Sequence, residues 1–486
     1  MSSYLDTQAT RIPEQLSTDS TPLYPHRWAA AVVMVIAALM DLIDGTIVNV
    51  ALPTLQRDLH ASGTQVEWTV SAYLLAFAAT LITAGRLGDI VGRKRMFLAG
   101  TAAFGAASLL CAVAQSPGWL IGARTLQGVA AATIVPQVLA TFRTIFEGKE
   151  RGAAFGLYGA MGGLASALGL ILGGALTDAD IFGWGWRTIF VVNVPVALGV
   201  FVAAAVLVPE SRERAAKRPD LLGAGILVGA LVAIVYPLLE GRRLGWPAWG
   251  WGLLALGVLA IVVLGVVDAR RRHGDVAPLL PTRLFSYPAF AAGVLVQLIF
   301  FGSMLGFVLT FTLWLQGGQG FSPMHAGLTT IAFSVGALLT AGVSIALAPR
   351  FGRYVLVAGA LLMAAGTLGC DVAARHIDGT VSSWALVPGL AVAGAGLGLL
   401  VVPLVNVVLA AVPSDEAGEA SGVFSTAQQL GGALGVAIIG TLFFDRLGGH
   451  GFTAAFTHAA PFAAGGYVLC ALLSLALPRT AVEEAY

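Results

Sequence analysis

The sequence predicts an all-α integral membrane protein with fourteen transmembrane helices, arranged as two six-helix halves plus two inserted helices. Three observations carry this. First, 57% of the 486 residues are hydrophobic and only 11% are charged, with a mean hydropathy of +0.84. Soluble proteins carry about 25% charged residues, and no water-soluble core could hide this much apolar surface, so the bilayer must be the solvent. Second, the apolar residues gather into runs close to the roughly 20 residues that cross a hydrocarbon core. Third, Lys and Arg fall unevenly between those runs, as the positive-inside rule requires.

Residues 1–26 are polar, with Pro13, Pro22 and Pro25, and read as a disordered cytoplasmic tail. They lack the basic start and short apolar core of a cleavable signal peptide. The N-terminal half, 27–208, is expected to hold spans at 28–53, 67–88, 95–114, 119–141, 152–175 and 187–208. A basic cytoplasmic linker, 209–220, leads to the inserted pair within 221–268, with spans at 221–239 and 248–268. A cytoplasmic loop, 269–288, precedes the C-terminal half, 289–480, with spans at 289–315, 325–348, 352–372, 384–411, 418–443 and 454–478. Residues 481–486 form a second cytoplasmic tail. Most breaks carry Pro, Gly or charge, as loop signals should. With a cytoplasmic N-terminus, the outer loops hold only Arg57, Arg187, Arg242, Arg243, Arg375 and Arg446 of the 27 basic residues. Arg124 lies within a span, and the rest lie inside. This places a multi-pass protein in the cell membrane with both termini cytoplasmic.

Several function classes drop out. A net charge of +1 argues against nucleic acid. No nucleotide-binding P-loop is present, which argues against ATP drive. Cys111, Cys370 and Cys470 sit in apolar runs without metal-ligand spacing and read as small hydrophobes. No metal site, no cofactor and no catalytic constellation converges, so the chain does not read as an enzyme. The 61 glycines suit close approach of helices in lipid.

The chemistry is concentrated in span one. Asp41 and Asp44 sit inside an apolar run and, three apart, share one helix face. A charge at that depth costs several kcal/mol and persists where function needs it. Two such neighbours discourage each other's ionisation, the condition under which a carboxylate loads and releases protons near neutral pH. Arg124, about five residues into span four, needs an anionic partner, and Asp41 or Asp44 is the best available. Asn49, Tyr73, Gln127, Gln137, Gln297, Phe301, Trp314, Asn406 and Gln428 could face a central cavity. A mostly apolar cavity with few polar points suits amphiphilic or cationic organic molecules.

The stretch Gly85-Arg86-Leu87-Gly88-Asp89-Ile90-Val91-Gly92-Arg93-Lys94-Arg95 follows span two. Its glycines allow a tight turn. Asp89 can accept from Arg93, or face a helix N-terminus in the other half, so Gly85, Asp89, Gly92, Arg93 and Lys94 form a candidate cytoplasmic gate. A faint echo, Ala348-Pro349-Arg350-Phe351-Gly352-Arg353, follows span ten, as parallel halves would produce.

This stretch closely resembles the signature loop of the major facilitator superfamily, with Ile90 where the family often has Arg. Asp44 to Pro53 resembles the first-helix motif of the fourteen-helix drug/proton antiporters (the EmrB/QacA type), whose Asp falls on Asp44 and leaves Asp41 extra. Arg124-Thr125-Leu126-Gln127-Gly128 resembles the fourth-helix motif, whose Arg the family ties to proton coupling. Gly169-Leu170-Ile171-Leu172-Gly173-Gly174 resembles the fifth-helix antiporter motif, with Leu170 where the family has Pro. Gly169, Gly173 and Gly174 are the expected conformational glycines of helix five, and Gly169 and Gly173 also form a G-x-x-x-G packing pattern.

The resemblance implies the major facilitator fold and a secondary transporter that exports drug-like or cationic and amphiphilic compounds in exchange for protons. That is multidrug efflux and a route to antibiotic resistance, with protons, a small organic substrate and the lipid bilayer as partners. Proton coupling would fall on Asp44, Asp41 and Arg124. The Leu170 departure leaves open transport of one defined metabolite, endogenous antibiotic or lipid, and symport rather than antiport. A non-transporting membrane sensor or scaffold is the alternative of another class.

Overall fold

The computed structural model describes residues 24–213, 220–270, 281–376, 379–413 and 416–477. The expected N-terminal tail up to residue 23, most of the basic linker (214–219), the loop segment 271–280 and the C-terminal residues 478–486 lie outside the described residues.

Among the described residues there are helices and no strands. The N-terminal bundle is built from α1 (Arg27–Asp58), α2 (Gly63–Val91), α3 (Arg93–Ala112), α4 (Pro117–Ile145), α5 (Gly148–Asp178), α6 (Thr188–Val191) and α7 (Asn193–Leu207). Then come α8 (Leu221–Glu240) and α9 (Ala248–Arg270). The C-terminal bundle holds α10 (Pro288–Leu313), α11 (Pro323–Phe351), α12 (Arg353–Arg375), α13 (Ser383–Ala410) and α14 (Ala417–Ser474). Twelve helices among the described residues are long and apolar enough to cross a membrane, with α6 and α7 joined in one of them.

One element differs in form from the expectation. A loop was expected between 443 and 454, but the helix runs on through Asp445 and Arg446 to His450 and breaks only at Gly451, where φ is 80°. At 1.5 Å per residue, the 58 residues of α14 would extend about 87 Å. That is nearly three hydrocarbon thicknesses of about 30 Å. The chain therefore doubles back at the one residue type that tolerates this backbone at no steric cost.

Local signals set the other ends. Ser62 and Gln65 form a reciprocal capping box at the start of α2. Ser116 caps α4 with Pro117 following, and Ser322 caps α11 with Pro323 following. Gly92 and Gly352 have φ values of 121° and 51°, and each is followed by an Arg that opens the next helix. The sequence echo after spans two and ten is thus matched by a positive-φ glycine at the turn in both halves, with ψ of 131° at Gly92 and −129° at Gly352.

Within the N-terminal bundle α4 packs on α2 and α3, α5 on α1, and α7 on α3 and α1. In the C-terminal bundle α10 packs on α14, α13 on α11 and α12, and α12 on α14. Small residues bring the backbones together: a Cβ on Gly435 of α14 would overlap Gly302 of α10. The bundles meet along two seams, α2 with α14 and α5 with α11. The hairpin α8–α9 lies outside them, with α8 against α2 and α14. The outward face of α9 is apolar, with Leu256, Leu259, Val262 and Val263 all exposed, the composition of a face that meets lipid.

Candidate functional site

Asp44 is fully buried midway along α1 and is surrounded by donors from α4 and α7. Arg124 Nη1 donates to its Oδ2 at 2.5 Å. Its Oδ1 accepts from Gln127 Nε2 at 2.9 Å and from Asn193 Nδ2 at 2.8 Å. The donors are themselves fixed. Arg124 Nη1 also donates to Gln127 Oε1 at 2.7 Å, and its Nε donates to the Thr69 carbonyl at 3.3 Å. Ser108 of α3 accepts from Gln127 and Asn193 and donates to the Phe190 carbonyl. A carboxylate is acceptor-only when ionised, and this shell of donors around a neutralising guanidinium suits that form.

Asp41, one turn earlier, has a different environment. The Tyr73 hydroxyl of α2 donates to its Oδ1 in a short contact. Tyr73 also lies beneath the Arg124 guanidinium, 4.1 Å from ring centroid to Cζ, so its ring links the two carboxylate sites. Of the two partners the sequence left open for Arg124, the structure supplies Asp44. It recruits two residues that sequence reading did not single out, Asn193 and Ser108. Asn193 is the only Asn, Asp, Gln or Glu in the apolar run 187–208, which was its available signal.

The glycines of α5 serve two neighbours. Gly169 and Gly173 lie against Thr46 and Ile47 of α1, while a Cβ on Gly174 would lie 2.6 Å from Met324 Cα of α11 in the other bundle. Nearby, Asp178 accepts from the Ser322 hydroxyl at 2.8 Å and from the Met324 N–H at 2.9 Å, and Gln316 Nε2 donates to the Val50 carbonyl at 2.6 Å. The two bundles are therefore joined at the Asp58 end.

At the opposite end, Arg93 donates to Asp89 Oδ1 at 3.0 Å, to Thr144 at 2.7 Å and to the Ala140 carbonyl at 3.3 Å. Lys94 Nζ donates to the Ala205 carbonyl at 2.7 Å, and the segment after α7 pairs with the Gly92 turn through Arg93 N to Ser211 O and Glu213 N to Asp89 O. Gly85 packs on Pro136. An ion pair of Arg86 with Glu419 reaches across to the other bundle, and sequence reading also did not single it out. A cleft of about 410 Å³ opens here between α2, α4 and the start of α14, lined by Gly85, Arg86, Asp89, Arg93, Arg143 and Glu419 among others.

None of the nine expected cavity residues lines that cleft. Tyr73 and Gln127 belong to the Asp41–Asp44 cluster. Asn49 Nδ2 donates to the Gly45 carbonyl of its own helix, and Gln137 Nε2 donates to the Ala84 carbonyl and so joins α4 to α2. Gln297 and Gln428 bond each other at 3.1 Å. Phe301 packs against Phe300, and buried Trp314 stacks on Phe456 and donates to Thr453. Asn406 is exposed on α13.

Two helical bundles of long apolar helices, with an ion pair held in their interior, define a multi-pass membrane protein of the transporter type. Residues 34–436 and 294–485 match the profile of the Major Facilitator Superfamily, and the chain belongs to that family. A probable actinorhodin transporter of Streptomyces coelicolor is 43% identical over 88% of this chain and 74% of its own length. A puromycin resistance protein of Streptomyces alboniger is 37% identical over 95% of this chain and 93% of its own. A multidrug efflux pump of Mycolicibacterium smegmatis is 32% identical over 88% and 83% respectively. Among solved structures, a D-xylose–proton symporter superposes with a TM-score of 0.64 at 15% identity, covering 93% of this chain and 98% of that one. A peptide transporter bound to sulfate gives 0.66, also at 15% identity, covering 92% and 94%. The fold is that of the major facilitators.

Proposed function

We propose that the protein is a proton-coupled exporter of drug-like, cationic or amphiphilic organic compounds, an antiporter of the fourteen-helix type, with Asp44 as its main proton site. The observation that carries this reading is the buried ion pair of Asp44 and Arg124, with Gln127 and Asn193 completing the shell. A proton on Asp44 converts one acceptor oxygen into a donor. The bonds from α4 and α7 then lose their charge assistance, and Arg124 loses its counter-ion. Removing one charge of a buried pair costs on the order of 3–5 kcal/mol. Protonation at this point therefore changes how tightly α1 is held to α4 and α7, and with it the balance of inward and outward states. Asp41, supported by Tyr73, is the secondary site.

In this reading the Arg93 end is cytoplasmic, as are both termini, and the chain crosses the membrane fourteen times, twice within α14 and once at α5. The halves 27–208 and 289–480 rock about the midplane. The cytoplasmic linker 209–220 and loop 269–288 flank the inserted pair within 221–268. Gly85, Asp89, Gly92, Arg93 and Lys94 form the cytoplasmic gate, and the α5 glycines allow α5 to move on α1 and α11. Relatives named for puromycin resistance and multidrug efflux support a small organic substrate. A narrower reading, export of one defined product, is favoured by relatives named as an actinorhodin transporter and as a tetracenomycin C resistance and export protein.

The test is uptake into inverted vesicles under an imposed pH gradient, with a panel of cationic and neutral compounds. Asp44→Asn should abolish gradient-driven uptake while the protein remains in the membrane, and Asp41→Asn should do less. Wild-type pumping by Asp44→Asn would make Asp44 structural and end this mechanism. Uptake of one panel member alone would favour the narrower substrate reading.

A further inference from the structure

Glu67 lies one turn into α2, near its Asp58 end, and is 1% exposed. Neither of its carboxyl oxygens has a hydrogen-bond partner among the described residues. It faces Gly440 of α14, where a Cβ would overlap its Oε1, so the absence of a side chain there makes its room. Beside it, the ring of Phe444 covers Gly63, where a Cβ would lie 2.6 Å from the ring. Glu67 is thus sealed inside the seam between the two bundles. The third wall is the inserted hairpin: α8 packs on both α2 and α14 at this seam, and Thr441 donates to the Leu238 carbonyl at 3.0 Å. The charged groups that act on Glu67 are Arg242 and Glu240, both at the end of α8. Glu240 is engaged by Arg243 at 2.7 Å, and the Arg242 guanidinium sits 5.6 Å from the Phe444 ring centroid. No charged group of α14 is among them.

We infer that Glu67 is a second proton-binding site, loaded from the outer side, and that the α2–α14 seam closes over it only when it carries a proton. The inference rests on the proposed sidedness and proton coupling. An ionised carboxylate sealed without donors is strongly disfavoured, so the closed seam holds the neutral acid. Separating α2 from α14 admits water and lets the proton leave to the outer solution, while Arg242, already close by in the closed seam, steadies the carboxylate that forms. The inserted hairpin thereby walls the site and supplies the cation that steadies the ionised state. More than one titratable group then changes state in each cycle.

Distance measurements between spin labels at Arg57→Cys and Gly448→Cys, both exposed at this end, test it in the full-length protein in liposomes. The three native cysteines are buried. In an Asp44→Asn background the separation should lengthen as pH rises, and adding Glu67→Gln should hold it short at every pH. A pH response that survives Glu67→Gln, or no response with Glu67 intact, overturns the proposal. Should Glu67→Gln fail to fold, Glu67→Asp and Arg242→Gln decide it. Glu67→Asp must keep the response, and Arg242→Gln must move its midpoint to higher pH, since the ionised state has lost its cation; an unmoved midpoint overturns the proposal. Failure of the Asp44 reading shows elsewhere, as wild-type gradient-driven uptake by Asp44→Asn, and leaves this distance readout intact.

Discussion

Arg124 carries a charge it cannot shed and a planar fork of five donors. Here three bonds and one ring face hold it: Nη1 reaches Asp44 and Gln127, Nε reaches the Thr69 carbonyl, and the face rests on Tyr73. A lysine would keep the charge but could not reproduce the fork or the stacking. Arg124→Lys should therefore behave almost as a loss-of-function variant. Losing a hydrogen bond to a charged group costs about 1.5–3 kcal/mol, or roughly ten- to a hundredfold in rate. Initial rates of pH-driven uptake at matched protein levels would show it, and a rate within twofold of wild type would mean that charge alone suffices. The sequence pointed to Asp44 and Arg124 because charges inside apolar runs stand out. It could not show that Asn193 joins them, since an isolated amide in a span is as readily a helix-packing contact as a ligand of a carboxylate.

At the level of elements, the seam between α5 and α11 is governed by small residues. Gly174 lets α5 approach Pro323 and Met324 so closely that any side chain there must push the helices apart. Overpacking of this kind costs about 1–3 kcal/mol, charged only to the state in which this seam is closed. Gly174→Val should thus favour the state in which the Asp58 end is open. A cysteine-labelling reagent that cannot cross the membrane should react faster with Ser322→Cys in the valine variant than in the parent. Gly199, which has open space around its Cβ position, is the control, and Gly199→Ala should leave labelling unchanged. Equal rates in the Gly174 variant would mean that the seam does not set the balance of states. Apolar runs and loop signals lie within a few residues of most helix ends. They misjudged the connection before the last one, because Asp445, Arg446 and three glycines read as a loop while the backbone there remains helical until Gly451.

For the whole molecule, two predictions follow from the arrangement of the halves. Reporter fusions after Lys217 and after Arg272 should both report cytoplasm, and a fusion near Trp246 should report the outside. A cytoplasmic signal at Trp246 would mean that α8 and α9 do not cross. At the Arg93 end, Arg86 and Glu419 form an ion pair between the two bundles. Both are partly exposed, so the pair should contribute no more than about 1 kcal/mol. Reversing either charge should weaken closure of that end and change the uptake rate several-fold, and the double reversal, Arg86→Glu with Glu419→Arg, should restore much of it. Non-restoration would show that the pair is incidental to gating.

The class of solvent, the helical content, the order of the spans and the burial of two carboxylates followed from the sequence by itself, because each depends on local composition and on the cost of burying charge in hydrocarbon. The Gly92 turn was legible for the same reason, since its backbone, φ 121°, is one that glycine alone adopts freely. Only the tertiary structure decided which carboxylate Arg124 pairs with, that Asn193 and Ser108 complete the shell, and that Glu67 is sealed between bundles with no donor among the described residues. Those facts depend on which faces of α1, α2, α3, α4, α7 and α14 meet, and contacts between different helices leave no periodic trace in a single chain.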